Sequence, residues 1–135
     1  HEYFGHKYNI SNNIRDNLNL FAKNLKLMEE NKDFLNKDLE KNIYLYDKNH
    51  LINLNILNFT INPNLKFSDF SKNLKKILKS KNHKFKIDGK YLMENGMQQG
   101  LIMGKVLKEI EKEWLKNNFT ITKDRVKEII QFHSN

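Results

Sequence analysis

The first strong periodicity of the chain lies in residues 11–30, SNNIRDNLNLFAKNLKLMEE. Its apolar residues recur at steps of four and three, at Ile14, Leu18, Phe21, Leu25 and Met28. This spacing places them on one stripe of an α-helix, and Ser11 is suited to cap the N-terminus. The segment therefore predicts an amphipathic helix whose apolar face needs other helices to cover it.

The same spacing of apolar residues recurs along the rest of the chain. It predicts further helices over residues 32–46, 50–59, 68–79, 88–95 and 99–117, and a last one that begins after Thr122. Residues 51–59 also alternate as a strand would, but the absence of a hairpin pattern or a partner strand favours a helix. Six or seven short helices predict an all-α, compact array, with body helices followed by a smaller tail lobe.

The predicted core consists of the apolar face of each helix. In the second and third helices the inward residues are Phe34, Leu35, Leu39, Ile43, Tyr46, Leu51, Leu54, Ile56 and Leu57. In the later helices they are Phe70, Leu74, Ile77, Leu78, Met103, Val106, Leu107, Ile110, Trp114, Val126, Ile129 and Ile130.

Local breakers and caps indicate where the elements end. Pro63 is the only proline, so residues 1–64 are expected to form a helical body region and residues 65–135 a basic helix plus a glycine-rich helical tail. Ser68, Asp88 and Thr122 are suited to cap helices. Gly96 lies where a helix commonly ends in a positive-φ residue.

The net charge of +8 is concentrated in one quarter of the chain. Residues 65–90 contain two aspartates and nine lysines, at positions 66, 72, 75, 76, 79, 81, 84, 86 and 90. One interpretation is a solvated helix face in a lysine-rich chain; the other is a surface that binds phosphates. Since the chain has only two arginines, such a surface would contact the backbone rather than base edges.

The sequence predicts no catalytic or metal centre in this chain. It has no cysteine and no Asp-x-Asp pair. The segment from Gly100 to Lys105 is one residue too short between its glycines for a phosphate loop. Glu109 and Glu113 share a helix face with lysines, which is typical of solvated helices. No apolar run is long enough to span a membrane.

Glycine recurs every four residues at Gly96, Gly100 and Gly104. One interpretation is close helix–helix contact, in which the missing side chains let another backbone approach. The other is a turn from Gly96 to Gly100 whose amides meet a phosphate at the start of the long helix. Lys90 and Lys105 flank this region and fit either interpretation.

Residues 87–107, IDGKYLMENGMQQGLIMGKVL, resemble the C-terminal segment of bacterial CCA-adding tRNA nucleotidyltransferases and their poly(A) polymerase relatives. The acidic helix that follows ends near Trp114, and residues 118–122, NFTIT, resemble the next cap of that family. Residues 11–15, SNNIR, resemble the start of its body region. The likeness is carried mainly by about 45 residues at the C-terminal end.

This resemblance implies a cytoplasmic parent enzyme whose N-terminal head, outside this chain, binds Mg²⁺ and nucleotide. The chain, which opens with His1, is then expected to be the body and tail that hold tRNA, with no cofactor of its own. The residues expected to contact RNA are Lys72, Lys75, Lys76, Lys79, Lys84, Lys86, Lys90, Gly96, Gly100 and Lys105.

Two other functions stay open at this point. The turn between Gly96 and Gly100 is compatible with a DNA-binding helix–hairpin–helix module. The glycine stripe is compatible with a protein-interaction domain or with a seam between two copies of the chain.

Overall fold

The computed structural model describes the backbone of residues 2–134 and the side chains of residues 15–134. Within this range the regular elements are seven α-helices. They are α1 (Glu2–Glu30), α2 (Leu39–Tyr46), α3 (Lys48–Ile61), α4 (Phe67–Lys79), α5 (Gly89–Glu94), α6 (Met103–Lys116) and α7 (Lys123–Ser134). The prediction of an all-α chain with six or seven helices is confirmed.

The predicted starts of the first two helices are wrong. The first helix begins at Glu2, so Ser11 lies inside α1 and cannot be its N-cap. The second begins at Leu39, because residues 32–38 form turns instead of helix. In these turns Asn31 Oδ1 accepts a hydrogen bond from the Asp33 amide, and Asn36 Nδ2 donates to the Lys32 carbonyl. Such short side chains compete with helical hydrogen bonds.

The chain divides into two compact units, His1–Asn82 and His83–Asn135. In the first unit α3 contacts α1, α2 and α4, around a core of Phe34, Leu35, Leu39, Ile43, Leu51, Leu54 and Ile77. This division differs from the boundary predicted at residue 64. The reason is that α4 buries Ile77 in the core of the first unit and so belongs to it.

Some predicted core positions of the first unit are occupied differently. Leu18 is 60% exposed, and Ile56 and Leu78 are also exposed, so their predicted burial is wrong. Three buried positions of this unit hold asparagines, at Asn24, Asn42 and Asn55. Each amide is hydrogen-bonded: to His50 Nε2, to the Phe34 carbonyl and to the Phe70 carbonyl, respectively. These bonds offset part of the cost of removing the amides from water, while Asn24 Oδ1 is buried without a hydrogen-bond partner among the described residues.

The second unit consists of α5, α6 and α7. Its buried core is Leu92, Met97, Val106, Ile110, Val126, Ile129 and Ile130, and Trp114 is buried as well. As predicted, the Asp88 carboxylate caps α5 by accepting from the Tyr91 amide, and Thr122 Oγ1 accepts from the Arg125 amide. The long helix α6 begins at Met103 rather than near residue 99.

The end of α5 confirms the helix stop predicted at Gly96. Its φ is +97°, and its amide donates to the Met93 carbonyl. The next amide, of Met97, donates to the Leu92 carbonyl at 3.0 Å. This pair of bonds defines a Schellman motif, and the contact between buried Met97 and Leu92 completes it.

Candidate nucleic-acid interface

Helix α4 carries the densest group of lysines in the structure. Its first turn contains Asp69, and its last turn contains Lys76 and Lys79, which is the arrangement that the helix dipole favours. Ser68 was predicted as the N-cap, but it lies inside the first turn. The cap position belongs to Lys66, whose side chain makes no capping bond.

The lysines of α4 lie opposite its buried face. Ile77 is buried, while Lys72, Lys75 and Lys79 are exposed and Lys76 is half-buried. At 3.6 residues per turn these four side chains fall within an arc of about 100°. The predicted outward orientation of Lys72, Lys75, Lys76 and Lys79 is therefore confirmed, and the four form a single row.

The exposed lysines of this row form no ion pairs within the described part of the chain, although Asp69 lies one turn before Lys72. Lys76 Nζ donates to a neutral amide, Asn36 Oδ1, at 2.5 Å. A further ammonium, Lys48 Nζ, donates to the Leu78 carbonyl at the end of α4. The exposed ammonium groups of the row can therefore donate hydrogen bonds to anionic oxygen atoms.

An open groove runs beside the row, with a volume of about 530 Å³. It is lined by Phe67, Ser68, Ser71, Lys72, Lys75, Lys76 and Lys79. Hydroxyl and ammonium groups that line such a groove are the usual donors to phosphate and sugar oxygens. The groove could therefore hold part of a nucleic-acid backbone.

In the second unit the predicted lysines lie on different elements. Residues 83–88 lie outside the helices, and along them Lys84 and Lys86 are exposed while His83, Phe85 and Ile87 are partly buried. This alternation has the period of two that is typical of extended chain. The buried side is held by rings: Phe85 lies 5.2 Å from Trp114, and His83 stacks on Phe119. Lys90 on α5 and Lys105 on α6 are also exposed.

The glycine predictions hold only in part. Gly100 precedes α6 and Gly104 lies in its first turn, so the two do not share a helix face. A Cβ atom added at either position would meet no atom within 4 Å. The predicted close helix–helix contact at these two glycines is therefore wrong within the described structure. The close approach occurs instead at Gly89, where an added Cβ would lie 2.9 Å from Met103 Sδ.

The proposed phosphate-binding turn also differs from the prediction. The amide of Gly96 is used in the Schellman motif, and the amide of Met103 donates to the Gly100 carbonyl at 3.2 Å. The Gly96 amide therefore cannot bind a phosphate without breaking the end of α5. Gly100 is exposed in the turn, but α6 begins three residues after it.

The acidic side chains of α6 have a structural role. Glu113 accepts two hydrogen bonds of 2.9 Å from Arg125 Nε, and Glu109 Oε2 lies 2.6 Å from His133 Nε2. Both carboxylates thus fix α7 against α6. Among the described residues, no group of three or more His, Asp or Glu side chains converges on a position that could hold a metal ion.

One residue of this surface, Phe67, was not predicted from the sequence. It lies at the start of α4 and lines the groove beside the lysines. At spacings of three and seven from Phe70 and Leu74, Phe67 continues the apolar stripe of α4, so periodicity predicts its burial and not the exposure that the structure shows. Its place in the groove depends on Phe59, which lies on another helix, α3.

The described helices include none with the length and apolar character to cross a bilayer. Comparison of the chain with protein-family models, with curated proteins and with solved structures gave no match.

Proposed function

We propose that this chain binds folded RNA by its phosphate backbone, as the tRNA-holding C-terminal part of a CCA-adding nucleotidyltransferase. The observation that carries the proposal is the lysine row of α4, which is exposed, lies on one helix face and has no acidic partner among the described residues. The resemblance of residues 87–107 to that family supports the choice of tRNA.

The chemistry of the row favours backbone contacts. Lysine is a flexible point charge, whereas guanine edges are usually bound by the planar fork of arginine. Helical RNA has a deep, narrow major groove that side chains cannot enter, so proteins bind it through phosphates, sugars and shape. A row of lysines on a rigid helix suits that kind of target.

In this proposal the chain positions its RNA and another part of the parent enzyme forms the new bond. The packing of α4 on α3 fixes the lysines to the helical core of the first unit. A fixed holding surface would keep the RNA 3′ end in register with a catalytic head, which lowers the entropic cost of the reaction. Mg²⁺ and nucleotide would bind to that head.

The test is tRNA binding by the triple variant K72E/K75E/K79E. Its matched control is K108E/K112E/K116E, which makes the same charge change at exposed lysines of α6. We expect the α4 variant to lose at least about tenfold in affinity, because three phosphate contacts become repulsive, and the control to lose much less. Equal losses would mean that only the net charge matters and would contradict the proposal.

A competition experiment separates RNA from DNA as the target. Labelled tRNA bound to the wild-type chain is challenged with unlabelled tRNA or with duplex DNA of equal length. The proposal predicts that the RNA displaces the label at much lower concentration. Equal displacement by DNA would favour the helix–hairpin–helix interpretation instead.

A further inference from the structure

Phe67 is a large apolar side chain that remains in contact with water. It is 68% exposed, although it lies in the first turn of α4 and next to a hydrophobic cluster. Burial of such a side chain is favourable by about 2 kcal/mol. Because Phe67 is exposed, this free energy is available to a ligand that covers the ring. Single exposed apolar residues are common, and the surroundings decide whether one has a function.

The ring of Phe67 is held in place by two other aromatic rings. It meets Phe59 edge to face at 6.2 Å between centroids and lies 5.9 Å from Phe70 at 44°. Phe59 and Phe70 stack on each other at 4.8 Å. Because these contacts fix the ring, an incoming planar group would lose little ring entropy on stacking there.

The same groove contains the lysine row. Phe67 lines it together with Lys72, Lys75 and Lys79. The helical rise of 1.5 Å per residue places Lys72 and Lys79 roughly 8 and 18 Å along the axis from Phe67. An aromatic ring at one end of a cationic groove is the combination that proteins use for unpaired nucleotides, whose bases stack while their phosphates bind cations.

The charge of the groove also argues against an apolar protein partner. Such a partner would bury several ammonium groups without an acid to pair with them, which is costly. A nucleotide suits both the aromatic ring and the lysines, because its base can stack while its phosphate binds an ammonium group. The observations therefore favour nucleic acid as the occupant.

We infer that Phe67 stacks on an unpaired base of the bound RNA, while phosphates of the same strand lie along Lys72, Lys75 and Lys79. This inference rests on the proposed function and adds to it. The surface would recognise a junction between paired and unpaired RNA rather than a continuous duplex. Stacking needs only the π-face of a base, so little base preference is expected.

The test compares Phe67→Leu with the wild type on two RNAs. One is a single-stranded oligouridine of about 12 nucleotides, and the other is a blunt RNA duplex with the same number of phosphates. Leucine keeps an apolar side chain but lacks the π-face. We expect the variant to bind the single strand roughly tenfold more weakly and the duplex with less than about twofold change.

Two further variants serve as controls. Phe132→Leu removes another exposed ring, 77% accessible, from α7 in the second unit and should leave both affinities unchanged. Phe67→Trp should keep or strengthen single-strand binding, since tryptophan offers a larger π-face. A single strand that carries 2-aminopurine should lose fluorescence on binding to the wild type and much less on binding to Phe67→Leu, because stacking quenches that base.

The outcomes distinguish the two proposals. If Phe67→Leu binds the single strand as well as the wild type does, or weakens both RNAs equally, base stacking at Phe67 is contradicted while the lysine row stands. If wild-type binding to both RNAs is weak and K72E/K75E/K79E does not change it, the proposed function fails, whatever the effect of Phe67.

Discussion

The imidazole of His83 lies flat on the ring of Phe119, with centroids 3.7 Å apart and planes within 4°. This stack ties the segment of residues 83–88 to the turn that ends α6. Phe119 has a φ of 63°, and Asn118 before it a φ of 57°. A bulky residue in this conformation is uncommon, and the packing of Phe119 on His83 and Trp114 holds it there.

Removing the His83 ring should loosen the segment that carries Lys84 and Lys86. His83→Ala loses a stacked aromatic pair, which contributes about 1 kcal/mol beyond its buried area. We expect faster tryptic cleavage after Lys84 and Lys86 and little change in α1–α4. An unchanged cleavage rate in the segment would contradict the anchoring role of the stack. Phe132→Ala, which removes an exposed ring elsewhere in the second unit, is the control.

His50 should make the stability of the first unit depend on pH. Its ring is stacked on Phe21 at 4.4 Å, and its Nε2 lies 2.9 Å from Asn24 Nδ2. Burial lowers the pKa of His50 below its ordinary value of 6.5, against a smaller opposing effect of Asp47. The unfolded chain then binds the proton more readily than the folded one, so stability is full above pH 6.5 and falls as the pH drops below it.

Urea unfolding at about pH 8 and about pH 5 measures this effect. We expect a lower midpoint at the acid pH for the wild type and a smaller difference for His50→Gln, which cannot titrate. If both proteins show the same pH dependence, other groups cause it and the assignment to His50 is wrong.

We expect repulsion within the lysine row to lower the free energy of unfolding. Lys72 faces Lys75 and Lys76 at spacings of three and four, and each like-charge pair of this kind destabilises a helix by a few tenths of a kcal/mol. Lys72→Glu replaces both repulsions with attractions, and it replaces the attraction between Asp69 and Lys72, at a spacing of three, with a repulsion. We expect a net gain of about 0.5 kcal/mol in the free energy of unfolding, together with weaker RNA binding.

Thermal and urea unfolding of Lys72→Glu check the first half of this prediction, and tRNA titration checks the second. A variant that lost both stability and affinity would indicate that Lys72 supports the fold instead of a ligand.

Gly104→Ala tests whether the glycine stripe has a packing role. An added Cβ meets no atom within 4 Å, so alanine should stabilise α6 by about 0.5–1 kcal/mol through its higher helix propensity. The sedimentation coefficient should not change. A loss of stability, or a dimer that dissociates in the variant, would instead favour a contact between copies of the chain at this position.

The parts of the fold that local sequence determines could be predicted. The caps at Asp88 and Thr122 and the stop at Gly96 depend on residues three or fewer positions away, and all three are confirmed. The lysine row follows from helical periodicity alone. For the same reason Val106 and Ile110 could be assigned to the core of α6.

The remaining features depend on contacts between residues distant in sequence. Asn24 is buried because it meets His50 of α3, and a chain with 21 asparagines gives no indication of which one is buried. The exposure of Leu78 and the position of Phe67 likewise follow from how α4 packs on α3. Within the site, periodicity predicted the charges of the groove but not its aromatic end.

The most direct test of the account is the salt dependence of tRNA binding by the wild-type chain and by K72E/K75E/K79E. Dissociation constants are measured from about 50 to 200 mM KCl, and log affinity is plotted against log salt concentration. If the row of α4 contacts phosphates, the wild type gives a slope of about −3 or steeper, and the variant is shallower by two units or more. Parallel lines for the two proteins would contradict RNA binding by this row.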